Sequence, residues 1–177
     1  RLAPSLKVLA AGGAAKPAAL YHQVRDELGC KAVHAYGLTE CPISFSNSPG
    51  DTDEQLAHSD GVPLNGMEAK ILRADGSLCA VGESGEILLR GPNLCRGYLD
   101  DQQTRDAFEA DGFFRTGDLG LMRSDGRLTV TGRIKDIIIR KGENISALEI
   151  EELLSEHPKV RDVAVIGLPD EDSGERV

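Results

Sequence analysis

The chain opens with a strand–helix–strand pattern, and few fold classes contain one. A short apolar run at residues 6–10 predicts a strand, and a second run at residues 31–35 predicts another. Between these runs, apolar residues repeat every four positions along one face of a helix, at Leu20, Val24 and Leu28. Because such units bind ligands beyond the carboxyl ends of their strands, the pattern predicts an α/β fold with a site there.

The pattern changes between residues 61 and 133, where short strands are separated by tight turns. Strands are expected at residues 67–73, 86–90, 119–123 and 128–131, with a polar helix at residues 101–108. An Asp-Gly pair lies in each of the turns at residues 74–77 and 124–126, and this pair is typical of hairpins. The stretch therefore predicts a small antiparallel β unit.

A third pattern begins after residue 133. A buried-type strand is expected at residues 137–139, and another at residues 163–166. Ser146 and Glu149 form a capping-box pattern that predicts a helix running through residue 156. We therefore divide the chain at 1–60, 61–133 and 134–177. The first two parts would form the end of a large N-terminal domain, and the last the start of a small α+β domain.

Composition and charge exclude several classes of function. The net charge of −9 disfavours broad contact with nucleic acid or anionic lipid. The four cysteines are far apart in the sequence, which argues against a zinc site and fits a reducing cytoplasm. No apolar run reaches the roughly 18–20 residues that a membrane-spanning helix needs. We expect a cytoplasmic protein without a nucleic-acid partner or a membrane span, and the sequence indicates no oligomeric state.

Three short phrases contain the residues suited to chemistry. In order, they are Tyr36-Gly37-Leu38-Thr39-Glu40, Phe114-Arg115-Thr116-Gly117-Asp118-Leu119 and Gly132-Arg133-Ile134-Lys135-Asp136. Taken singly, the first is typical of a tight turn before a helix cap, and the Gly-Asp pair of the second is typical of a turn. In this order and at these distances, however, the phrases resemble the adenylate-forming (AMP-binding) enzymes. This superfamily contains acyl-CoA synthetases, luciferases and the adenylation domains of peptide synthetases.

The resemblance implies an ATP site around the first phrase. In it, Tyr36, followed by Gly37, would stack on the adenine, Thr39 would contact the α-phosphate, and Glu40 would coordinate Mg²⁺. One carboxylate together with phosphate oxygens is the usual way in which proteins hold magnesium. The attack of a carboxylate on the α-phosphate of ATP requires this kind of charge neutralisation together with in-line positioning.

Further nucleotide contacts are implied at two other places. Asp118 would accept both ribose hydroxyls, and Arg133 would reach the ribose and phosphate region. A surface salt bridge is the alternative interpretation of Arg133. The small residues Gly12, Gly13 and Ala14 would run along the adenine and the acyl pocket, although two glycines alone indicate only a turn.

The resemblance also implies a moving C-terminal domain. Lys135 would be the hinge about which that domain rotates between adenylation and thioester formation, the alternative being an ordinary solvated lysine. After rotation, Lys141, Gly142 and Glu143 would line the pantetheine tunnel. The wording at residues 140–146, Arg-Lys-Gly-Glu-Asn-Ile-Ser, resembles medium- or short-chain acyl-CoA synthetases.

The activity implied is that of an acyl-CoA synthetase, an acid–thiol ligase. It would convert a carboxylic acid, most simply a fatty acid, with ATP into an acyl-adenylate, and then form the CoA thioester. Its cofactors would be ATP/AMP, Mg²⁺ and coenzyme A, and its partners the small-molecule acid and CoA. Two alternatives stay open: an acyl-AMP ligase that loads a carrier protein, and a catalytically silent nucleotide-binding module.

Two parts of such an enzyme are missing from the 177 residues. There is no Ser/Thr/Gly-rich phosphate loop with a lysine, and no lysine of the closing C-terminal motif. We interpret the chain as an internal part of a longer enzyme and predict that it does not turn over substrate alone.

One wall of the acyl pocket is expected within the chain. By resemblance it is formed by residues 11–15, Leu38 and residues 41–44, whose small and apolar side chains fit an aliphatic or cyclic acid. His34 lies next to the adenine phrase, where it would either touch the acyl group or, as we prefer, be a packed histidine.

Overall fold

The computed structural model describes residues 4–14, 16–155 and 157–177. Across these residues the protein forms three four-stranded sheets and four α-helices. This mixed α/β architecture confirms the fold class expected from the sequence. None of the helices in the described part of the chain has the length and hydropathy that a bilayer crossing requires.

The first sheet has the strand order β1-β2-β3-β4. Its elements are β1 (Val8–Gly12), α1 (Ala18–Leu28), β2 (Lys31–Leu38), β3 (Cys41–Ser46), α2 (Asp53–His58) and β4 (Val62–Pro63). The first two strands are parallel, as their connection through α1 requires, and the other pairs are antiparallel. The expected strand–helix–strand unit is therefore present, with two further strands on one side.

The first two strands end later than we expected. β1 includes Gly12, and β2 continues through Leu38, so Tyr36 and Gly37 lie inside a strand instead of after one. The reason is an unexpected partner, because β3 turns back and pairs Tyr36 with Phe45. The short helix α2 was also missed, although Thr52 and Gln55 form a complete capping box at its start.

The second sheet is an antiparallel meander, as predicted. Its elements are β5 (Glu68–Leu72), β6 (Gly85–Arg90), α3 (Asp101–Ala107), β7 (Phe114–Met122) and β8 (Leu128–Arg133), and the strands follow the order β5-β6-β7-β8. Three consecutive apolar residues of β6, Ile87, Leu88 and Leu89, are fully buried, so this strand is covered on both faces. β7 begins five residues before the expected start at 119, which places Asp118 within the strand.

The third sheet follows a single 3₁₀ turn at Ile134–Asp136. It contains β9 (Ile137–Arg140), β10 (Glu143–Ser146), β11 (Leu168–Asp170) and β12 (Gly174–Arg176), with helix α4 (Ala147–Ser155) after β10. Ser146 caps α4, since its hydroxyl accepts from the Glu149 amide at 3.3 Å. The expected last residue of this helix, 156, lies outside the described residues.

This region differs from the sequence analysis at two places. Residues 143–146 form strand β10, for which no strand was expected, because Lys141 and Gly142 make a two-residue hairpin turn with φ of +53° and +82°. Residues 163–166 do not form a strand. This segment pairs with none of the described strands, and the Val165 amide donates instead to a Glu151 carboxylate oxygen of α4 at 2.8 Å.

One hydrophobic core joins the first two sheets. Its buried members come from β2, β3, β6, β8 and the region of β5, namely Tyr36, Cys41, Phe45, Met67, Ile71, Ile87, Leu89 and Leu128. A smaller cluster packs both short helices on β2 through Tyr21, Ala32, Leu56 and Ala57. The shared core fixes β5, β6 and the start of β8 relative to β2 and β3. The division at 1–60, 61–133 and 134–177 stays a prediction.

A nearly buried ion pair also joins the two sheets. Arg127 precedes β8, and its guanidinium donates to both Asp51 carboxylate oxygens at 2.9 and 2.7 Å and to the Asn47 side-chain oxygen at 3.2 Å. The side chains of the pair are 9% and 13% exposed. Hydrogen bonding from Arg127 holds the pKa of Asp51 below its usual value. The charged form of Asp51 therefore stabilises the fold.

We expect Arg127→Met to lower the free energy of unfolding by about 3 kcal/mol, because it leaves a mostly buried carboxylate without its partner. Urea unfolding at neutral pH measures the loss. Arg161→Met is the control, since that side chain is 97% exposed and should change stability by less than about 0.5 kcal/mol. Equal effects of the two substitutions would contradict this role for the pair.

The same pair predicts a dependence on pH. Because the pKa of Asp51 is lowered in the folded state, its stabilisation is complete above the ordinary carboxyl pKa and is lost as the pH falls through the lowered value. The free energy of unfolding, measured from neutral pH to about pH 3, should therefore fall less in Asp51→Asn than in the unsubstituted chain. An unchanged pH profile would contradict the assignment.

Candidate active site

One cleft of about 1120 Å³ contains most of the predicted site residues. It lies where β1, β2 and β8 end and beside the middle of β7, and its lining includes Gly12, Gly13, Gly37, Thr39, Glu40, Asp118, Arg133 and Lys135. These residues are separated by up to 123 positions in the sequence (135 minus 12) and are brought together only by the fold. We call this cleft the nucleotide cleft.

The other predicted residues lie elsewhere. Ala14 and Tyr36 line a larger adjoining cleft of about 1530 Å³, which shares Asp118 and Arg133 with the nucleotide cleft. Lys141, Gly142 and Glu143 lie at the β9–β10 hairpin and line neither cleft. The structure therefore does not bring the residues expected at the pantetheine tunnel together with those expected at the nucleotide.

Asp118 lies at the centre of the site. Its side chain is 9% exposed, and its two oxygens have different partners. The Tyr36 hydroxyl donates to Oδ2 at 2.7 Å, and the Arg133 Nε lies 3.1 Å from Oδ1. Strand pairing brings the last pair together, because Asp118 and Arg133 are directly opposite each other in β7 and β8.

The Asp118 carboxylate retains capacity for a ligand. An ionised carboxyl group has about four acceptor positions on two oxygens, and the two contacts above use one position on each. Two acceptor positions therefore remain on a carboxylate whose direction is already fixed, as many as a pair of neighbouring hydroxyl groups needs. Arg133, whose side chain is 56% exposed, presents the rest of its guanidinium to the cleft.

Tyr36 is held through its hydroxyl group. Burial, followed by the charge of Asp118, raises the pKa of Tyr36 far above its usual value, so the hydroxyl stays protonated and continues to donate. The residue is 7% exposed and belongs to the core shared by the two sheets, while part of it borders the larger cleft. Adenine stacking on Tyr36 stays a prediction.

The turn after β2 presents Thr39 and Glu40. Leu38 pairs with Cys41, so Thr39 and Glu40 are the two residues of the β2–β3 turn, at the rim of the cleft. Gly37 permits this turn, because a Cβ atom there would lie 2.2 Å from the Pro42 carbonyl oxygen. A hydroxyl group and a carboxylate are thus placed next to each other on a short, braced hairpin.

The sequence analysis missed a neighbour of Glu40. The Tyr98 hydroxyl donates to Glu40 Oε1 at 2.7 Å, and the Cys95 amide donates to the Glu40 carbonyl oxygen, also at 2.7 Å. Hydrogen bonding to Glu40 raises the pKa of Tyr98 to about 12. Both contacts come from residues 95–98, to which the sequence analysis gave no role in the site. An aromatic residue next to Gly97 was visible in the sequence, but its distance of 58 positions from Glu40 concealed the contact.

Glu40 is suited to a magnesium ion that arrives with a nucleotide. Among the described residues, no group of three or more acidic, histidine or cysteine side chains forms a complete metal site. A single carboxylate fits Mg²⁺ that keeps phosphate oxygens and waters as its other ligands. The Tyr98 contact uses one lone pair of Glu40 and fixes the orientation of the carboxylate.

Thr116 and Gly117 are two further cleft residues that the sequence analysis did not select. The Thr116 hydroxyl donates to the Ile87 carbonyl oxygen at 2.7 Å and accepts from the Asp118 amide at 3.0 Å. Gly117 has a φ of +70°, which breaks the regular strand between them. The succession of a hydroxyl residue, a glycine and a carboxylate at residues 116–118 is the feature of the sequence that could have predicted this bulge.

Lys135 and the acyl wall complete the cleft. Lys135 is exposed in the 3₁₀ turn between β8 and β9 and borders both clefts, and its hinge role stays a prediction. Of residues 41–44, only Pro42 and Ile43 line the nucleotide cleft, since Cys41 and Ser44 are fully buried. The expectation for those two side chains was wrong, and that for residue 15 lies outside the described residues.

Comparison with known proteins identifies the family. A family model for the AMP-binding enzyme matches residues 1–99, more than half of the chain, and one for the AMP-binding enzyme C-terminal domain matches residues 149–177. The chain therefore belongs to the AMP-binding enzyme family, as its motifs indicated.

Relatives of the chain include enzymes with different acyl acceptors. It is 39% identical over 175 residues to salicyl-AMP ligase / salicyl-S-ArCP synthetase of Mycobacterium tuberculosis, covering 98% of this chain and 31% of that protein. It is 41% identical over 174 residues to indoleacetate–CoA ligase of Aromatoleum aromaticum, covering 98% of this chain and 34% of that protein. The chain thus spans about a third of the length of these relatives.

Solved structures show the same fold. ATP-bound MatB from Rhodopseudomonas palustris is 32% identical and superimposes with a TM-score of 0.89, covering 95% of this chain and 33% of that one. The apo structure of MatB gives a TM-score of 0.76 over the same 95% of this chain. The arrangement of this chain is therefore closer to that of the ATP-bound structure.

We expect Tyr98→Phe to weaken the binding of Mg·ATP about fivefold, because the Glu40 carboxylate loses the hydrogen bond that orients it. Calorimetric titration with Mg·ATP, and with ATP in the presence of a chelator, measures the magnesium-dependent part. Tyr21→Phe is a matched control, since it removes a similar 2.8 Å hydrogen bond to Asp53 on the helical side of the first sheet. An equal loss in both variants, or none in either, would contradict the role of Tyr98.

Proposed function

We propose that this chain supplies the nucleotide-binding part of an enzyme that activates a carboxylic acid with ATP. The convergence of Thr39, Glu40, Asp118 and Arg133 on one cleft is the observation that carries the proposal. Hydroxyl, carboxylate and guanidinium groups at one strand edge fit the ribose, the α-phosphate and its metal ion. If each motif formed only a structural turn, nothing would require these groups to line the same cleft.

Each residue has a role in the adenylation step. Asp118 accepts the ribose hydroxyls, Arg133 attracts the negative charge near them, and Thr39 donates to an α-phosphate oxygen. Glu40 would hold Mg²⁺, which when bound neutralises charge on the phosphates. A carboxylate oxygen of the acid then attacks the α-phosphorus, the bond to the β-phosphate breaks, and pyrophosphate leaves with the electron pair.

We further propose that the acyl-adenylate is converted to a CoA thioester. The CoA sulfur attacks the acyl carbonyl carbon, AMP leaves, and the thiol proton passes to solvent. Lys141, Gly142 and Glu143 would contact the pantetheine arm after the third sheet rotates about Lys135. Similarity to an indoleacetate–CoA ligase supports this acceptor.

Loading of a carrier protein is the second candidate. It has specific support, since the chain is equally similar over its whole length to a salicyl-AMP ligase whose name includes a carrier-protein product. The adenosine contacts would be the same in both enzymes, so only the acceptor separates the candidates. For the acid itself, small apolar residues along the cleft, such as Ala10, Ala11 and Ile43, favour an uncharged aliphatic or cyclic group.

Binding of AMP tests the nucleotide site directly. We expect Asp118→Asn to weaken AMP binding at least about tenfold, because an amide accepts on one atom only and directs its NH₂ group toward ribose or Arg133. Asp111→Asn is the control, as Asp111 forms an exposed pair with Lys70 at 2.9 Å away from both clefts. Circular dichroism confirms folding of both. Wild-type AMP affinity in Asp118→Asn would refute the assignment.

The acceptor is tested by product analysis in the protein that carries this chain. Mg·ATP and a panel of fatty and aromatic acids are supplied with CoA, with a phosphopantetheinylated carrier protein, or with neither. We expect thioester and AMP only when CoA is present. Thioester formed only on the carrier protein would select the second candidate. Binding of ATP without pyrophosphate exchange for any acid would leave only a silent nucleotide-binding module.

A further inference from the structure

A buried histidine–aspartate pair lies behind the nucleotide cleft. His34 of β2 is 6% exposed, its Nδ1 lies 2.8 Å from Asp60 Oδ1, and its Nε2 lies 3.0 Å from the Ala14 carbonyl oxygen. Neither His34 nor Asp60 belongs to the phrases that identify the family. The histidine is packed, as preferred from the sequence, and it borders, together with Asp60, Ala14 and Val130, the larger cleft that adjoins the nucleotide cleft.

Both ring nitrogens of His34 have a protein partner. The Ala14 carbonyl oxygen only accepts, so Nε2 donates to it. Nδ1 makes the second hydrogen bond of the ring, to Asp60 Oδ1 at 2.8 Å. His34 therefore links two segments of the chain through its two nitrogens.

Asp60 has further partners. Its Oδ2 accepts from the Val130 amide at 2.8 Å. Lys16 is a further charged group near the pair. Burial lowers the pKa of Lys16, attraction to Asp60 opposes that effect, and its ammonium group donates to the Leu56 carbonyl oxygen. The Asp60 side chain is therefore held by His34 on one oxygen and by a backbone donor of β8 on the other.

The pair connects the two sides of the nucleotide cleft. On one side, His34 holds Ala14, which directly follows the cleft residues Gly12 and Gly13. On the other side, Asp60 holds Val130 of β8, three residues before Arg133. Strand β8 continues from Val130 to Arg133, which pairs with Asp118. A continuous series of contacts therefore links residues 12–14 to the Asp118 carboxylate.

We propose that His34 and Asp60 are positioning residues that set the width of the nucleotide cleft by tying the Gly12–Ala14 segment to strand β8. The proposal rests on the proposed nucleotide site and assigns no contact between His34 and the ligand. Both nitrogens of His34 are already used by the protein, so its effect passes through Ala14 and Val130. Loss of either hydrogen bond of His34 would break the bridge and loosen the segment.

Three substitutions separate the two halves of this bridge in the protein that carries the chain. In His34→Gln the amide nitrogen replaces Nε2 and keeps the bond to Ala14, whereas in His34→Asn it replaces Nδ1 and keeps the bond to Asp60. Asp60→Asn leaves one oxygen to accept from both His34 and Val130. His58→Gln is the matched control, since that histidine forms an exposed contact of 3.6 Å with Glu54.

AMP affinity and steady-state kinetics are measured for each variant at neutral pH. We expect His34→Asn, His34→Gln and Asp60→Asn each to weaken AMP binding about tenfold, because each breaks or weakens one hydrogen bond of the bridge. The KM for ATP should rise while kcat changes less than about twofold. His58→Gln should leave both quantities unchanged.

Two results would overturn the inference. One is a set of variants with lowered melting temperatures but unchanged AMP affinity and KM for ATP, which would make the pair purely structural. The other is a kcat that falls while the KM for ATP and the AMP affinity stay unchanged, which would separate the pair from the width of the cleft. Failure of the nucleotide site itself is distinguishable, since the unsubstituted protein would then not bind AMP and Asp118→Asn would have no effect.

Discussion

The site depends on a single buried carboxylate that two elements share. Asp118 accepts from Tyr36 of the first sheet and faces Arg133 of its own sheet. The position of its side chain therefore depends on both sheets. Because a buried carboxylate needs such partners, the three residues must be together for the fold to tolerate the charge. The contacts that stabilise Asp118 also leave it oriented and only partly satisfied, which is what a ligand with two hydroxyl groups requires.

Packing behind the site makes this arrangement rigid. The common core and the pair of Arg127 with Asp51 join the first sheet to the start of β8, and the bond from Val130 to Asp60 holds β8 again at its middle. A strand held at two points along its length cannot slide in register without breaking a buried polar contact. Since Arg133 is at the far end of this strand, its pairing with Asp118 follows from interactions outside the cleft.

The sequence predicted the fold class, the antiparallel unit and the residues at the cleft, because each depended on a local pattern or on motif order. The prediction failed where the structure of a segment depends on partners that are distant in the sequence. β2 extends past residue 35 only because β3 covers it, and residues 163–166 lack a strand partner although their composition is typical of one. Tyr98 was given no chemical role because nothing local in the sequence connects it with Glu40. For the same reason, the partners of the packed His34 were not predicted.

The separation of Lys141 to Glu143 from the nucleotide cleft has a consequence for acceptor choice. In the present arrangement, which is closer to ATP-bound than to apo MatB, these residues form a tight hairpin turn away from both clefts. The contacts proposed for adenosine do not involve them. This separation is compatible with the similar identity of the chain to two relatives whose names give different acceptors. In the function proposed above, selection between CoA and a carrier protein would occur in a second arrangement of the third sheet, so acceptor and nucleotide specificity could change independently.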